Sequence, residues 1–471
     1  MEEKKVENSA VKGFWNRLIE PGQQIPDERK QFSNSALIAL IIPIVVEQFL
    51  NLLVGVADTF MISHAGEAAI SGVSLVIQLN NVFVLIFAAI AAGGSVVVSQ
   101  YIGSRQRGHA NLAAGQLFMS ASVIGLLVGA TVFFLGPFLF RFLYGAVDID
   151  VEEAGIRYMR ILALSYVFLG MYNAGAGINR SMGKTRTVMY VSMGMNVVNV
   201  IGNAIGIFVL HAGVAGVAVP SLISHALAAV VMTVLVSNRK NTVFLLAKYV
   251  FCFNPGMLKR IFKIALPGSI ENGLFQLTKT AIGAIVALYG NAQISANGVA
   301  QSIWALSAMF NLAMGPVFIT VVGRYMGAGD IEGAEYYMKK LLRITLIWAN
   351  VWNFAFIGIG AGLLHIYALS AEAARYALIL IIIHNSLNGS ICAVSYALAS
   401  GLRAAGDARY TMVSAIVSSV IVRGIFAFLF GLVLGWGVIG IAIAMVLDWS
   451  VKAVMVWVRY KKGKWKTFKV I

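Results

Sequence analysis

Cysteine is nearly absent from this chain of 471 residues, which contains only Cys252 and Cys392. Two cysteines cannot build a disulfide framework, and these two lack the close spacing of a metal or redox motif. The six histidines, His384 among them, show no metal-binding spacing either. The sequence contains no nucleophile or metal cluster and no complete Gly-rich phosphate-binding loop. These absences argue against an enzyme and against a nucleotide-driven pump.

Charge is also scarce. Charged residues make up 12% of the chain, whereas a soluble domain carries about 25%. Hydrophobic residues make up 59%, and the mean hydropathy is +0.82. Residues 36–61 contain only two charges, Glu47 and Asp58, and a bilayer span needs about 20 such apolar residues. The sequence therefore predicts an all-α polytopic membrane protein. Residues 1–33 hold no long apolar run, so no cleavable signal peptide is expected.

Twelve apolar segments are long enough to span a bilayer, six in each half of the chain. We predict spans near residues 34–62, 69–102, 112–140, 156–179, 187–210, 213–236, 264–289, 294–323, 344–366, 373–400, 411–434 and 437–458. The predicted domains are a cytoplasmic N-terminal segment at 1–33, a first lobe at 34–236, a cytoplasmic linker at 237–257, a second lobe at 258–460, and a basic cytoplasmic tail at 461–471.

Basic residues distinguish the two sides of the membrane. Most of the 36 Lys and Arg residues fall in the two termini and in alternate connections, all on one predicted side. The opposite side holds only Arg141, Arg157, Arg160 and Arg375. This asymmetry is the positive-inside rule and predicts that both termini are cytoplasmic. The net charge of +16 is thus explained by topology and by contact with anionic headgroups, and no nucleic-acid partner is expected.

The chain repeats itself at a distance of 224 residues. The features occur in the same order and predicted orientation in both copies, which indicates a parallel repeat about an axis along the membrane normal. A repeat of this length in so apolar a chain is typical of a two-lobed transporter. Matching residues include Pro43 and Pro267, Glu47 and Glu271, Tyr101 and Tyr325, and Gly216 and Gly440.

The first span carries polar residues on one face. At 100° per residue, Glu47, Asn51 and Asp58 fall within one narrow sector, which makes a polar stripe roughly 16 Å long. A carboxylate at membrane depth costs a few kcal/mol unless it faces a cavity, a partner or an ion. The alternative is a hydrated Asp58 near the interface. The stripe favours the first interpretation.

The fifth span carries Asn199 and Asn203, which are four residues apart and share a helix face. Two carboxamide oxygens near a carboxylate would suit a hard monovalent cation, because such ions prefer oxygen ligands. Hydrogen bonding between helices is the alternative for intramembrane asparagines. The residues alone leave both open.

The second half has its own charges in spans: Glu271, Lys279, Arg423 and Asp448. One interpretation is structural pairing of Arg423 with Asp448, and of Lys279 with Glu271 or Asp448. The other is that Lys279 steers cationic cargo.

Several segments resemble the multidrug and toxin extrusion (MATE) transporters, in their bacterial NorM/DinF-like branch. The matching segments are Pro43 to Thr59, Gly66 to Ser71, Val97 to Gly103, Gly183 to Arg186 and the opening of the sixth span at Gly213. Corresponding motifs occur in both halves, and the resemblance covers about residues 34–460.

The resemblance implies a V-shaped pair of six-helix lobes that exports amphipathic, often cationic, compounds in exchange for Na⁺ or H⁺ by alternating access. The family's coupling residues fall, at the matching positions, on Asp58, Asn199, Asn203, Ser221 and Asn173. One branch has Asp at the position of Asn203, so the choice between Na⁺ and H⁺ stays open here.

The second lobe is expected to lack the acidic site of some relatives, because Phe275 or Gln276 and Cys392 stand at the matching places. Glu47, Asn51, Glu271, Gln276 and Lys279 are candidates for the cargo cavity. Beyond Na⁺ or H⁺ as coupling ion, no cofactor is expected, and the predicted form is a monomer in the bacterial cytoplasmic membrane.

Two other transporter classes share parts of this sequence pattern. A lipid-linked oligosaccharide flippase of the same superfamily would have extra helices and a cationic cavity, whereas this chain has twelve predicted spans and an acidic first lobe. A facilitator-type 6+6 carrier would have an Asp-Arg loop after span 2, and the loop here, Gly103 to Arg107, lacks the acid.

Overall fold

A computed structural model describes residues 18–22, 24–145, 147–365, 367 and 369–471. Residues 1–17 and 23 of the predicted N-terminal segment lie outside them. In this part of the chain there is no β-strand, and twelve long helices, numbered α1 to α12, account for most residues. Their bounds are α1 Asn34–Ser63, α2 Glu67–Gly103, α3 Arg107–Tyr144, α4 Ile149–Ser181, α5 Thr185–Val209, α6 Ala215–Ser237, α7 Pro255–Val286, α8 Asn291–Gly327, α9 Ile331–Leu364, α10 Ala371–Ala404, α11 Ala408–Val433 and α12 Gly437–Lys461.

The predicted fold class, twelve helices in two repeats, is confirmed. Within the described residues, eleven helices are long and apolar enough to cross a membrane. The twelfth, α7, has 32 residues but is less apolar, in part because it carries Glu271 and Lys279. Several helices begin earlier than predicted: α9 starts at Ile331 rather than near 344. The charged first turns of these helices stay helical although they are too polar to count as span.

The repeat is visible in the backbone. The last turn of α5, Ile205–Val209, and that of α11, Ala427–Val433, are both π-helical. In each case the sixth helix of the repeat then crosses close by. A Cβ on Gly216 would lie 2.7 Å from the Gly206 carbonyl carbon, and one on Gly440 would lie 2.7 Å from that of Phe430. Positions 206 and 430 are themselves 224 apart, so the repeated glycines allow the same close approach of helix backbones twice.

Contacts divide the chain into two compact units. The first unit is Ile38–Gln276 with Val470–Ile471, and the second unit is Leu277–Lys469 with the described residues up to Leu37. The division therefore falls inside α7 and near the start of α1. The lobe bounds 34–236 and 258–460 follow the sequence repeat and remain a prediction.

The first half of α7 belongs to the first unit because of its contacts with α2. Gly93 lets the two backbones approach so closely that a Cβ there would lie 2.6 Å from the Ala265 nitrogen. The Asn272 side-chain amide donates to the Leu85 carbonyl at 3.2 Å. A helix of the second repeat is thus packed along half its length with the first repeat.

We expect Gly216→Ala and Gly440→Ala each to lower the thermal midpoint of the detergent-purified protein, because the added methyl must push two helices apart at a cost of about 1–3 kcal/mol. The matched control is Gly194→Ala in α5, where a Cβ meets nothing within 4 Å. That variant should be neutral or slightly stabilised, since Ala is favoured over Gly in a helix. Equal midpoints for Gly216→Ala and Gly194→Ala would contradict the close approach.

Candidate functional site

A polar seam joins α1 to α5 and α6 within the first unit. On α5, polar residues recur at steps of four, three and four, which keeps them on one helix face. We define the polar seam by Glu47, Asn51 and Asp58 of α1, Ser192, Asn196, Asn199 and Asn203 of α5, and Ser221 of α6.

Asp58 lies at one end of this seam, next to Asn203. The Asn203 amide nitrogen donates to Asp58 Oδ1 at 2.7 Å and to Asn199 Oδ1 at 3.2 Å. The Asn199 amide in turn donates to Ser221 Oγ at 3.0 Å. Four of the five predicted coupling residues are therefore connected by hydrogen bonds through three helices.

Asn203 is left with one unused polar atom. Its side chain is fully buried, and both amide hydrogens are donated, yet its Oδ1 accepts no hydrogen bond from any described residue. A buried acceptor without a donor costs about 1–3 kcal/mol. This oxygen, beside the half-buried carboxylate of Asp58, is a suitable position for a cation or a water.

Asn173 is not part of these hydrogen bonds. Its amide donates to the Leu169 carbonyl of its own helix, α4, at 2.9 Å. Among the described residues the structure shows no hydrogen bond from Asn173 to Asp58, Asn199 or Asn203. Its assignment to the coupling site stays a prediction that rests on the family resemblance.

The middle of the seam holds Asn51, which accepts from Asn196 Nδ2 at 2.9 Å and from Ser192 Oγ at 3.2 Å. These two α5 residues were not among the predicted site residues. The signal was present in the sequence, because steps of three and then four residues back from Asn199 stay on the same helix face and reach both.

Glu47, at the other end, is 3% exposed and pairs with Arg180 at 2.6 Å. We predicted Glu47 as a cargo-cavity residue, and that role stays a prediction. The structure joins Glu47 and Arg180 in an ion pair between α1 and the end of α4.

Two local devices hold the seam together. Pro43 in α1 cannot donate to the Ala39 carbonyl, and Thr185 Oγ1 at the start of α5 donates to that oxygen at 3.1 Å. At the other end, Gly202 of α5 packs on Pro220 of α6, and a Cβ there would lie 2.6 Å from the proline Cβ. Ser221 follows directly, so this contact sets its distance from Asn199.

The seam is suited to a singly charged ion. Asp58 is its one carboxylate outside the ion pair of Glu47, and the neighbouring groups are neutral amides and a hydroxyl. Among the described residues, no group of three or more His, Cys, Asp or Glu side chains is placed to hold a metal ion. One carboxylate with amide oxygens fits Na⁺, or a proton on Asp58 itself.

An apolar groove of about 290 Å³ lies between α1 and α5. Leu53, Ala57, Met193 and Val197 line it, and Asn196 of the seam is its one polar lining residue. An apolar surface thus runs alongside the polar seam.

The remaining cavity candidates are placed as follows. Glu271 is buried and Gln276 is half-buried, and both belong to the first unit. Lys279 is exposed and belongs to the second unit. Their roles in cargo binding stay predictions.

In the second unit, Arg423 and Asp448 come together. Their side chains are almost fully buried, the guanidinium lies 2.5 Å from Asp448 Oδ2, and Ser419 donates to Oδ1 at 3.1 Å. Lys452, one turn along α12, lies over the Tyr396 ring at 4.4 Å. This arrangement is a buried ion pair with a hydrogen-bonding partner.

Comparison with known proteins decides the family. The family model MatE matches residues 43–205 and matches again at 267–429. The two matches begin 224 residues apart, at the two prolines of the repeat, and together they cover more than half of the chain. The chain belongs to the MatE family. It is therefore a membrane transporter and not an enzyme.

Its relatives share its length. It is 28% identical over 434 residues to the uncharacterized transporter YisQ of Bacillus subtilis strain 168, covering 91% of this chain and 94% of the relative. It is 22% identical over 452 residues to the probable multidrug resistance protein NorM of Thermotoga maritima, covering 95% of each. A solved outward-facing multidrug resistance MATE transporter has the same fold, with a TM-score of 0.85 at 20% identity over 96% of this chain and 98% of the other.

We expect Arg423→Ala and Asp448→Ala each to destabilise the protein strongly, since removing one partner leaves a buried charge unpaired at a cost of roughly 3–5 kcal/mol. The charge-swapped double variant should regain much of the loss. Arg141→Ala is the control, because its ion pair with Glu152 at 2.6 Å is exposed and should contribute about 0–1 kcal/mol. Yield of monodisperse protein and thermal midpoint measure the effect, and normal single variants would refute the pairing.

Proposed function

We propose that the protein is a secondary active multidrug efflux antiporter of the bacterial cytoplasmic membrane. It exports amphipathic, often cationic, compounds in exchange for Na⁺ or H⁺ by alternating access. Family membership supports transport of small molecules. The relatives of Thermotoga maritima and Halalkalibacterium halodurans, both named probable multidrug resistance proteins, support drugs as the substrate class.

The observation that carries the proposal is the hydrogen bond from Asn203 Nδ2 to Asp58, which leaves Asn203 Oδ1 unsatisfied beside that carboxylate. A carboxylate in a low-dielectric interior is stable only when its charge is compensated. Asn203 gives it one hydrogen bond and places a second, unsatisfied oxygen next to it. A bound cation satisfies both atoms at once, which makes the filled site more stable than the empty one.

Either candidate ion fits this chemistry. Na⁺ would take the Asp58 carboxylate and amide oxygens of Asn203 and Asn199 as ligands. A proton would neutralise Asp58, and the asparagine amides would then orient the protonated acid. In both cases the seam loses its one unpaired charge when the ion binds.

Coupling follows from that change of charge. If the conformations of the transporter differ in how well they tolerate a charged Asp58, ion binding shifts the population between them. Cargo that favours one conformation is then linked to the ion, and the linkage is reciprocal. The apolar groove between α1 and α5 is a suitable surface for the apolar part of an amphipathic cargo.

The flippase alternative is less well supported. The first unit has an acidic seam rather than a cationic cavity, and the family model matched by both halves belongs to the extrusion transporters. The asymmetric basic residues still predict cytoplasmic termini, and a monomer remains the expected form.

We expect Asp58→Asn to abolish gradient-driven export while leaving the protein folded and inserted, because the charge that the cation compensates is gone. Ethidium efflux from proteoliposomes, driven by a Na⁺ gradient and separately by a pH gradient, measures it. The matched control is Glu271→Gln, a neutralised buried acid of the other repeat, which should alter cargo preference yet keep dependence on the ion gradient. Wild-type rates for Asp58→Asn at matched expression would refute the assignment.

A further inference from the structure

Each repeat is preceded by a segment that packs on helices of the opposite repeat. Residues 18–22 and 24–33, here the N-terminal strap, lead into α1 but lie on α8 and α9 in the second unit. Residues 238–254, the linker strap, lead into α7 but lie on α3 in the first unit. The segment before the first helix of each repeat thus packs against the unit formed mainly by the other repeat.

The two straps bind to equivalent positions on α3 and α9, Gln116 and Lys340. In the linker strap, the backbone N–H of Asn254 donates to Gln116 Oε1 at 2.9 Å, and Gln116 Nε2 donates to the Tyr249 carbonyl at 2.7 Å. In the N-terminal strap the residue 224 positions after Gln116, Lys340, takes this role and binds Glu20 at 2.6 Å. A neutral amide contact in one repeat corresponds to an ion pair in the other.

The N-terminal strap is held along its length. Arg29 pairs with Asp330 and, at 2.8 Å, with Glu332 at the start of α9. Tyr337 donates to the Phe32 carbonyl at 2.6 Å, and the Phe32 side chain is buried.

Loss of the contact between Glu20 and Lys340 would destabilise this region, because the lysine is buried. Lys340 is 2% exposed, and lysine is almost never so buried without a partner. Glu20 also binds the Tyr336 hydroxyl. Breaking the pair would leave a buried ammonium uncompensated, and salt screens such a pair little.

The carboxylates of the N-terminal strap's ion pairs, Glu20 and its neighbour Asp330 on the second unit, stay charged over the pH range of a transport assay. Burial pushes the pKa of Glu20 up, but hydrogen bonds from Lys340 and Tyr336 outweigh it, so the pKa lies below its ordinary value. Burial also raises the pKa of Asp330, but the hydrogen bonds from Arg29 and from the Gly333 backbone N–H, together with the Arg29 charge, outweigh it and lower that pKa. A carboxyl group with a depressed pKa stabilises the folded protein above its unfolded pKa, which is about 4.3 for Glu and about 3.9 for Asp. That stabilisation is lost only as pH falls through the folded pKa. A pH gradient near neutrality therefore does not break the ion pairs that hold the N-terminal strap.

We propose that Glu20 and Lys340 are positioning residues of the transport cycle. They fix the N-terminal strap to the second unit throughout the cycle, so that movement of that unit is transmitted to α1, the helix that carries Asp58. The N-terminal strap, with its Glu20–Lys340 ion pair, precedes the helix that carries Asp58. The linker strap, whose contact with Gln116 is neutral, precedes α7, which has Ile282 at the position equivalent to Asp58. The inference rests on the proposed ion-coupled export.

The test separates positioning from binding. Lys340→Gln copies the neutral residue of the other repeat, and Glu20→Gln removes the partner. Each should lower the maximal rate of gradient-driven ethidium efflux at least about five-fold while KM changes less than about two-fold. The swap Glu20→Lys with Lys340→Glu should recover most of the rate. Glu152→Gln, which breaks an ion pair outside both straps, should behave as wild type.

A second variant tests whether the strap stays closed. Arg29→Cys with Glu332→Cys, made in a Cys252→Ser, Cys392→Ser background, is bridged with a short bifunctional thiol reagent. The bridged protein should export at more than about half the unbridged rate, since no opening is required. Reversible loss of export on bridging would overturn the proposal.

The outcomes are distinguishable from failure of the proposed function. A wild-type protein without efflux under either gradient contradicts that function. Single variants as fast as an active wild type contradict the positioning role alone. Where a single variant does not insert, recovery in the swap supports the role, and a swap that inserts but exports at less than about a fifth of the wild-type rate contradicts it.

Discussion

A carboxylate inside a membrane protein has to be compensated, and the organisation of the first unit depends on this constraint at Asp58. The neighbouring helix, α5, supplies side-chain amides at helical spacing. Asn203 donates both of its amide hydrogens, one to Asp58 Oδ1 and one to Asn199 Oδ1. What remains is one buried oxygen that accepts from no described residue, beside a negative charge. The same constraint explains the ion pair of Glu47 with Arg180 at the other end of the seam, where the charge is already compensated and no ion is needed.

A symmetric scaffold therefore carries an asymmetric distribution of charge. The close helix approaches at Gly216 and Gly440 are equivalent, and the straps that precede α1 and α7 bind to equivalent helix positions, Lys340 and Gln116. The proposed coupling acid lies on α1, and the charged strap comes directly before that helix. The second unit buries Arg423 and Asp448 as a pair, and removing either partner alone would leave an uncompensated buried charge. Symmetry accounts for the architecture, and the departures from it mark the chemistry.

Much of this was predictable from sequence because it depends on periodicity. The polar faces of α1 and α5 follow from helical spacing, and Ser192 and Asn196 could have been added by the same rule. The ion pair of Arg180 could not be found, because its partner lies 133 positions away and a basic residue near a turn already serves topology. The contact of Glu20 with Lys340 spans 320 positions, and the division inside α7 depends on packing at Gly93. Neither leaves a local pattern.

The most direct test of the central claim is equilibrium binding of ethidium to the purified protein without any gradient, titrated with Na⁺ at fixed pH and with protons at fixed Na⁺. If Asp58 holds the coupling ion, the ethidium Kd of the wild type rises with one of the two cations, and that of Asp58→Asn responds to neither. Glu271→Gln should keep the wild-type response. An Asp58→Asn protein whose Kd keeps the full cation dependence, with Glu271→Gln losing it, would contradict the account and place coupling at Glu271.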